Sequence, residues 1–511
     1  MAGAAHAPPP GPGPAPNAVD NSFGHPRVAL SPAPCARPPP TPSTATTPLN
    51  RHQPPPSPEL DTLDVKTLRG KLTAQPSPFT KDNNAGAGFV GDKDRIRLHT
   101  VEYESSASSG AACGNGVLSL DGAEDEGCLL LPEWAIRSGP REKIYFDPQK
   151  VTAAIVTCGG LCPGLNDVVQ NIVFTLTDYG VPEDQIIGIK YGLRGFYDKD
   201  SKPVTLTRRV VDGIHLKGGT MLGTSRGGAN IEEIVRRIDL WGLDMVFVVG
   251  GNGGNAAANA IQEEIARQDV KCVVAGVPKS IDNDILLIDK CFGFDTAVEE
   301  AQHALLAAKV EASSGCRGLG IVKLMGRNSG FIAMEASMAS GVVDVCLIPE
   351  VKFTMEKLYD HVGAILDRKG HCVVCVAEGA GQDLFNKEGG GGTDASGNAI
   401  LKARPGGDIG VCLRDAFKAR FKDQADIKYI DPSYLIRSIP TTSNDRIYCK
   451  VLGQGAVHGA FAGYTDFTTG LVNTHYVYLP IETIIQAPRK VNPTGRRWNR
   501  LKTAINQPDL M

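Results

Sequence analysis

The sequence predicts an α/β protein of two similar Rossmann-like domains, each with a parallel-rich sheet, and a ligand cleft between them. Three observations carry this expectation. Apolar runs recur and end at glycine-rich turns, the pattern of strands buried on both faces of a parallel sheet. Two such runs end in the loops Val249–Gly254, rich in glycine, and Pro278–Asp284, which lie about thirty residues apart and bracket an Ala-rich helical stretch, Asn255 to Ala266, making a βαβ unit. The same alternation starts afresh near residue 315 with Leu319–Leu324, as a second domain built like the first would require.

Composition agrees. A chain of 511 residues exceeds one ordinary core. With 42% hydrophobic and 21% charged residues it is globular in character, and a net charge of -3 gives no broad basic surface for nucleic acid. No run of eighteen apolar residues exists to span a membrane. The thirteen cysteines are scattered, without the paired metal-ligand spacings of a zinc module, as expected of thiols in a reducing compartment.

Residues 1–58 differ from the rest. Eighteen of the 35 prolines fall in the first 60 positions, and Asp20 is the only acidic residue before Glu59. Such a stretch cannot bury enough apolar surface to fold; its poverty in acids suits a transit peptide, with a plain disordered tail as the alternative. Residues 59–145 are an extension with weak patterning. The first α/β domain is expected over 146–312, completed by about 445–511, and the second over 313–444.

Val151–Thr157 is the first buried strand. It runs into Cys158-Gly159-Gly160-Leu161-Cys162-Pro163-Gly164, after which Val168, Val169, Ile172, Val173 and Leu176 share one helix face. Ile186–Lys190 is the next strand. Gly218–Arg226 is a polar, Gly-rich loop whose Arg226 can pair with phosphate. In Val249–Gly254 and Pro278–Asp284, glycines let backbone approach phosphate oxygens, a helix start supplies unpaired N–H groups, and Asp282 and Asp284 add a base and a metal ligand. Either loop alone is as well read as a tight turn; two on successive strands favour a phosphate site. Leu319–Leu324 leads into Met325-Gly326-Arg327, and two further strands cover Val343–Ile348 and His371–Ala377, the latter ending at Glu378. Gly389–Gly392 marks an exposed insertion, and Lys428–Arg437 closes the informative part.

In this order these motifs resemble the ATP-dependent 6-phosphofructokinase family, more narrowly its plant and algal branch of plastid type. The string Thr157–Asn166, Pro278–Asp284, Phe292–Gln302, Met325-Gly326-Arg327, Ala377–Gln382 and Lys428–Arg437 carry the resemblance, which extends over about 140–511. Lone Gly-Gly loops occur in NAD kinases and lipid kinases, which lack the Met-Gly-Arg and Tyr-x-x-Arg elements. The resemblance implies transfer of the ATP γ-phosphoryl group to the 1-hydroxyl of fructose 6-phosphate, giving fructose 1,6-bisphosphate for glycolysis. It implies Asp282 as catalytic base, with Ser280 and Arg327 assisting at the transferring phosphoryl. Gly160, Arg226, Gly251, Asn252, Gly253 and Gly254 would face ATP. Met325, Gly326, Arg327, Glu378, Lys428, Tyr434 and Arg437, with Ser280 and Asp282, would hold the sugar phosphate. Asp284 and Asn252 would stand by Mg²⁺. A plastid protein is implied, with the cytoplasm as the alternative, and a homo-oligomer for which a tetramer is one size to test.

Three positions depart from the common family pattern. Asn252 replaces the usual Asp of Gly-Gly-Asp-Gly, so a carboxylate near Mg²⁺ becomes a neutral amide. Gly253 favours ATP, because pyrophosphate-dependent relatives carry a bulky Asp there, whereas Lys279 is the pyrophosphate-like choice. The rival readings are a pyrophosphate-dependent enzyme and a non-catalytic regulatory subunit. Cys158 and Cys162 flank the first phosphate loop and are candidates for redox control, with Cys113 and Cys128 as another pair; packing is the plainer role for the first two.

Overall fold

Every run of apolar residues read as a buried strand is one in the computed structural model, which describes residues 61–78, 88–98, 117–119, 128–385 and 408–511. The transit-peptide reading of 1–58, Cys113 and the insertion around Gly389–Gly392 lie outside the described residues. Ten strands frame the site: β1 (Ala153–Thr157), β2 (Ile186–Ile189), β3 (Met245–Gly250), β4 (Val273–Pro278), β5 (Gly318–Leu324), β6 (Val345–Leu347), β7 (His371–Ala377), β8 (Asp426–Ile430), β9 (Phe467–Val472) and β10 (His475–Pro480). The helices that cover them are α1 (Leu165–Tyr179), α2 (Ile231–Leu240), α3 (Asn252–Arg267), α4 (Phe294–Ser314), α5 (Phe331–Ser340), α6 (Met355–Lys369), α7 (Ile409–Phe421), α8 (Ser433–Arg437), α9 (Ser443–Phe461) and α10 (Arg496–Ile505).

The strands form two sheets. The larger, with ten strands among the described residues once four short ones are counted, runs through β10-β9-β4-β3-β1-β2; β4, β3, β1 and β2 pair in parallel, β9 joins β4 in parallel, and β10 turns back antiparallel. Alternation along each strand sorts its side chains between two cores. Ile155, Phe247, Val249 and Ala275 pack with α1 and α9 on one face, while Ala154, Val156, Val246, Val248 and Val274 pack with α2 and α3 on the other. The smaller sheet, β6-β7-β5-β8, is wholly parallel. It too is covered on both faces, by α4 and α5 on one side and by α6 and α7 on the other. Among the described residues no helix is long and apolar enough to cross a membrane.

Sheet membership divides the chain differently from the ranges read off periodicity, at three places. Helix α4 packs its Ala297, Ala301 and Leu305 against the smaller sheet. The C-terminal stretch divides: α9, β9 and β10 complete the larger sheet, whereas Val491, Trp498 and Leu501 return to the smaller sheet's core. Short strands at Thr62–Leu63, Arg95–Arg97 and Trp134–Arg137 extend the larger sheet, so the weakly patterned extension is part of it. Lys66 pins that extension to the buried Asp466 at 2.7 Å. Strands this short cannot display a period.

Candidate functional site

The carboxyl ends of β1, β3 and β4 face those of β5 and β7 across a cavity of about 540 Å³. Its walls include the glycine-rich turns after β1 and β3, Arg226, Ser280, Asp282, Asp284, Met325, Arg327, Glu378 and the α8 residues Tyr434 and Arg437.

On the larger-sheet side, helix α3 begins at Asn252, with Gly251 as its N-cap, so Gly253 and Gly254 form a helical first turn. The first α3 bond runs from Asn255 N–H to the Gly251 carbonyl (2.8 Å), which leaves the N–H groups of residues 252–254 without helical acceptors at the cavity wall. A Cβ at Gly250 or Gly254 would meet the Cys158 sulfur at 2.6 or 2.7 Å, so glycine lets β1 and α3 close together here. Gly160 faces Arg226, 3.4 Å from where its Cβ would stand. Lys279 donates its Nζ to the Gly160 carbonyl at 2.9 Å and ties the first and third phosphate turns.

Asp284 is buried, and each of its oxygens has a donor. Its two carboxylate oxygens accept the Ser280 hydroxyl and the Asn252 amide nitrogen (3.1 Å), and its carbonyl accepts the Arg489 N–H at 2.7 Å. Asp282 is the opposite case. Its carbonyl takes the Ser329 hydroxyl (3.1 Å), yet buried Oδ1 has no hydrogen-bond partner among the described residues. Burial first, then the Asp284 and Glu378 carboxylates, push the Asp282 carboxyl up to about 8, against the pull of Lys279 and Arg327. Burial also raises Asp284, opposed by Ser280, Lys279 and Asn252. Two crowded carboxylates with one orphaned oxygen suit a group that brings positive charge or a proton. Among the described residues no three His, Cys, Asp or Glu side chains gather as a closed metal cage. Mg²⁺ needs none: it takes one or two carboxylates and completes its shell with water and phosphate oxygens. The residues present therefore fit Mg²⁺.

Turn geometry dictates the smaller-sheet side. Gly326 has φ +129, and a Cβ there would lie 2.4 Å from the Ser329 carbonyl oxygen. It makes the turn that presents Met325 and Arg327, and does not itself line the cavity. Arg327 reaches Glu378 at 3.4 Å. Arg437 lies over the Tyr434 ring at 4.8 Å.

A model of the phosphofructokinase family matches residues 152–460. The chain belongs to the phosphofructokinase family. It is 51% identical over 430 residues to the chloroplastic ATP-dependent 6-phosphofructokinase 5 of Arabidopsis thaliana, covering 83% of this chain and 76% of that one. It is 47% identical to the chloroplastic ATP-dependent 6-phosphofructokinase 4 of the same plant (73% and 71% covered), and 43% identical to the ATP-dependent 6-phosphofructokinase of Borreliella burgdorferi (83% and 92%). Among solved structures, the pyrophosphate-dependent phosphofructokinase of Marinobacter aquaeolei superposes with a TM-score of 0.58 at 19% identity, covering 70% of this chain and 91% of that one. Pichia pastoris phosphofructokinase in the T-state gives 0.55 at 20% identity, covering 71% and 37%. At such identities these structures establish the fold alone.

Within this phosphofructokinase fold, two of the expected site residues stand outside the cavity. Gly326 acts through the turn just described. Lys428 points away, pairing with Asp426 (3.2 Å) and with Glu311 of α4 (3.5 Å). The period of two along β8 explains it: Tyr429 faces the α7 side and bonds Asp408, so Lys428 must face α4. Conversely, Ser225, Gly227, Ala229, Ala257, Lys323, Asn328, Asp431 and Ser433 line the cavity without having been singled out. Lys323 left a signal, being the one charged residue in the apolar run Leu319–Leu324.

The cysteines next to the first loop are packing residues. Cys158 is 5% exposed and its thiol is pushed up to about 11 by burial; Cys162 is fully buried, bonds the Phe292 carbonyl at 3.2 Å and is also pushed up by burial. Neither is a ready thiolate, and neither is in a disulfide. Of the alternative pair, Cys128 is described only as backbone of the strand Cys128–Leu130.

Proposed function

We infer that this chain is an ATP-dependent 6-phosphofructokinase that transfers the ATP γ-phosphoryl group to the 1-hydroxyl of fructose 6-phosphate, giving fructose 1,6-bisphosphate and ADP. The observation that carries this reading is the orphaned Asp282 oxygen, in one cavity with a glycine helix start on one side and Arg437 on the other. Relatives at 43–51% identity bearing the name ATP-dependent 6-phosphofructokinase support it.

Phosphoryl transfer is chiefly positioning and charge neutralisation, so the protein must clamp both reactants and offer one base. Asp282 takes the proton of the sugar hydroxyl; its raised affinity for protons in the ligand-free cleft suits that task once cationic groups gather around ATP. The N–H groups of residues 252–254, with Gly160 and Arg226, receive the phosphates of ATP. Ser280 and Arg327 steady the transferring group. Met325, Glu378, Tyr434 and Arg437 hold the sugar phosphate. Asp284, with Asn252 beside it, would hold Mg²⁺, which supplies neutralisation of phosphate charge when bound. The chloroplastic relatives support a plastid location. A homo-oligomer is supported by apolar side chains exposed on α4, α8 and α9: Leu306 and Val310, Leu435, and Ile447.

The test is an assay of purified protein with fructose 6-phosphate and either ATP or pyrophosphate. Gly253 leads to turnover with ATP and little with pyrophosphate. Comparable turnover with pyrophosphate would make the donor reading wrong, and none with either would indicate a regulatory subunit. Light scattering of the same sample tests the oligomer.

A further inference from the structure

We propose that Lys323 is a positioning residue for the sugar-phosphate end of the cleft, its ammonium holding the Asp431 turn so that Tyr434 and Arg437 face the cavity. The inference rests on the sugar-phosphate reading of that end. Lys323 sits near the carboxyl end of β5, two residues before Met325, with its side chain only 9% exposed. Its Nζ lies 2.7 Å from Asp408 and 2.6 Å from Asp431. Three separate elements thus meet on one cation. Asp408 caps α7 by accepting the Val411 N–H (3.0 Å) and also takes the Tyr429 hydroxyl (3.3 Å). Asp431 binds Lys323 through Oδ2 and uses Oδ1 for the Ser433 N–H (3.1 Å) and hydroxyl (2.6 Å), at the start of α8.

Helix α8 has five residues, too few to be stable by itself, so its orientation depends on its anchors: Asp431 at its start and Ile436, buried in the smaller sheet's core. Beside Ile436, Arg437 carries a buried Nε with no hydrogen-bond partner among the described residues. Burial alone would raise both carboxyls, but the Lys323 ammonium holds Asp408 and Asp431 below the usual carboxylate range. Without that ammonium, two carboxylates would face each other across a partly buried gap and repel, and the freed turn would carry Arg437 with it.

Lys323 also lines the cavity, so the competing role is direct contact with the sugar phosphate. The two roles give Asp431→Asn opposite signs. A direct ligand would be released by that change and fructose 6-phosphate would bind more tightly. A positioning lysine would lose its hold on α8 and binding would weaken.

The experiment uses the full chain as wild type, Lys323→Met, Lys323→Arg and Asp431→Asn, with steady-state kinetics and calorimetric titration of fructose 6-phosphate without ATP. The expected result is a rise of about tenfold in both KM and Kd for fructose 6-phosphate in Lys323→Met, as when one well-anchored charged contact is loosened. kcat and the KM for ATP should move less than about threefold, most binding should return in Lys323→Arg, and Asp431→Asn should weaken binding. Tighter binding in Asp431→Asn would overturn the proposal, as would equal losses for ATP and sugar in Lys323→Met. If Lys323→Met does not fold, the nearly isosteric Asp431→Asn decides by its sign. A wild type that binds fructose 6-phosphate with Lys323→Met and Asp431→Asn equal to it sinks this inference alone. A wild type that neither binds nor turns over sinks the functional reading and this inference with it.

Discussion

The two ends of the cleft are lined differently. At the larger-sheet end much of the lining is backbone: a helix begun by Asn252-Gly253-Gly254, and turns packed so closely that Gly250 and Gly254 have no room for a Cβ beside Cys158. Arg226 and Lys279 stand there too, yet burial raises both Asp282 and Asp284 against the pull of Lys279. At the smaller-sheet end the long cationic side chains Lys323, Arg327 and Arg437 line the cavity, and Lys323 holds its partners Asp408 and Asp431 down. At the first end burial outweighs the nearby cation; at the second the ammonium outweighs burial. The first should therefore respond to the metal, and to pH through its crowded carboxylates, the second to removal of single cations.

The largest expected effect is at the junction. Asp282→Asn should reduce kcat by roughly 10²–10⁴-fold with little change in fructose 6-phosphate binding. Retention of most activity in folded protein would put the base elsewhere and dissolve the contrast. Next comes Arg437→Ala, which removes a cation from the second end. Loss of one charged hydrogen bond weakens fructose 6-phosphate by about 1.5–3 kcal/mol, and the ATP half-saturation should barely move. Equal losses for both substrates would mean that the ends are not independent.

The pH dependence of stability sharpens the comparison further. Asp282 has a folded value of about 8, above its value in the unfolded chain, so its contribution is complete below about pH 4 and is lost as pH rises through 8. In ligand-free, chelator-treated protein, the difference in melting temperature between wild type and Asp282→Asn should shift against the wild type from pH 5 to 8.5. The reverse sign holds for Asp408 and Asp431, whose contribution is present above about pH 4 and lost on acidification. A melting-temperature difference that stays flat over pH 5–8.5 would show that Asp282 is not held protonated. The smallest effect is expected from Asn252→Asp. The amide now donates to Asp284 at 3.1 Å, so a carboxylate there would add repulsion that a divalent cation relieves. Two unit charges 6 Å apart interact by roughly 3 kcal/mol at a dielectric of ~20. Titration of Mg²⁺ at fixed ATP should give half-saturation at a several-fold lower free concentration in a working enzyme. Identical curves would show that residue 252 does not sense the metal.

What could be read beforehand follows a simple physical line. The strands β1, β3, β4, β5 and β7 were legible because burial on both faces demands unbroken apolar runs, and the turns after them because close backbone contact demands glycine. Those local demands brought Gly160, Asn252–Gly254, Ser280, Asp282, Asp284, Met325 and Arg327 to one edge. Lys428 was misplaced because motif adjacency says nothing of which strand face a side chain takes, and Glu311 of α4 decides that. The Lys323–Asp431 pair cannot be read from local pattern, because the two are joined only in the fold, where the lysine also meets Asp408, 85 residues from it. The chain by itself determined strands, turns and the chemical groups at their ends, since each obeys a rule acting over a few residues. Tertiary structure alone decided which polar groups meet: the Arg489 backbone N–H on the Asp284 carbonyl, the Asn252 amide against its carboxylate, and one ammonium between two distant aspartates. Coulomb and hydrogen-bond energies depend on distance in space, and only the packed sheets set that distance.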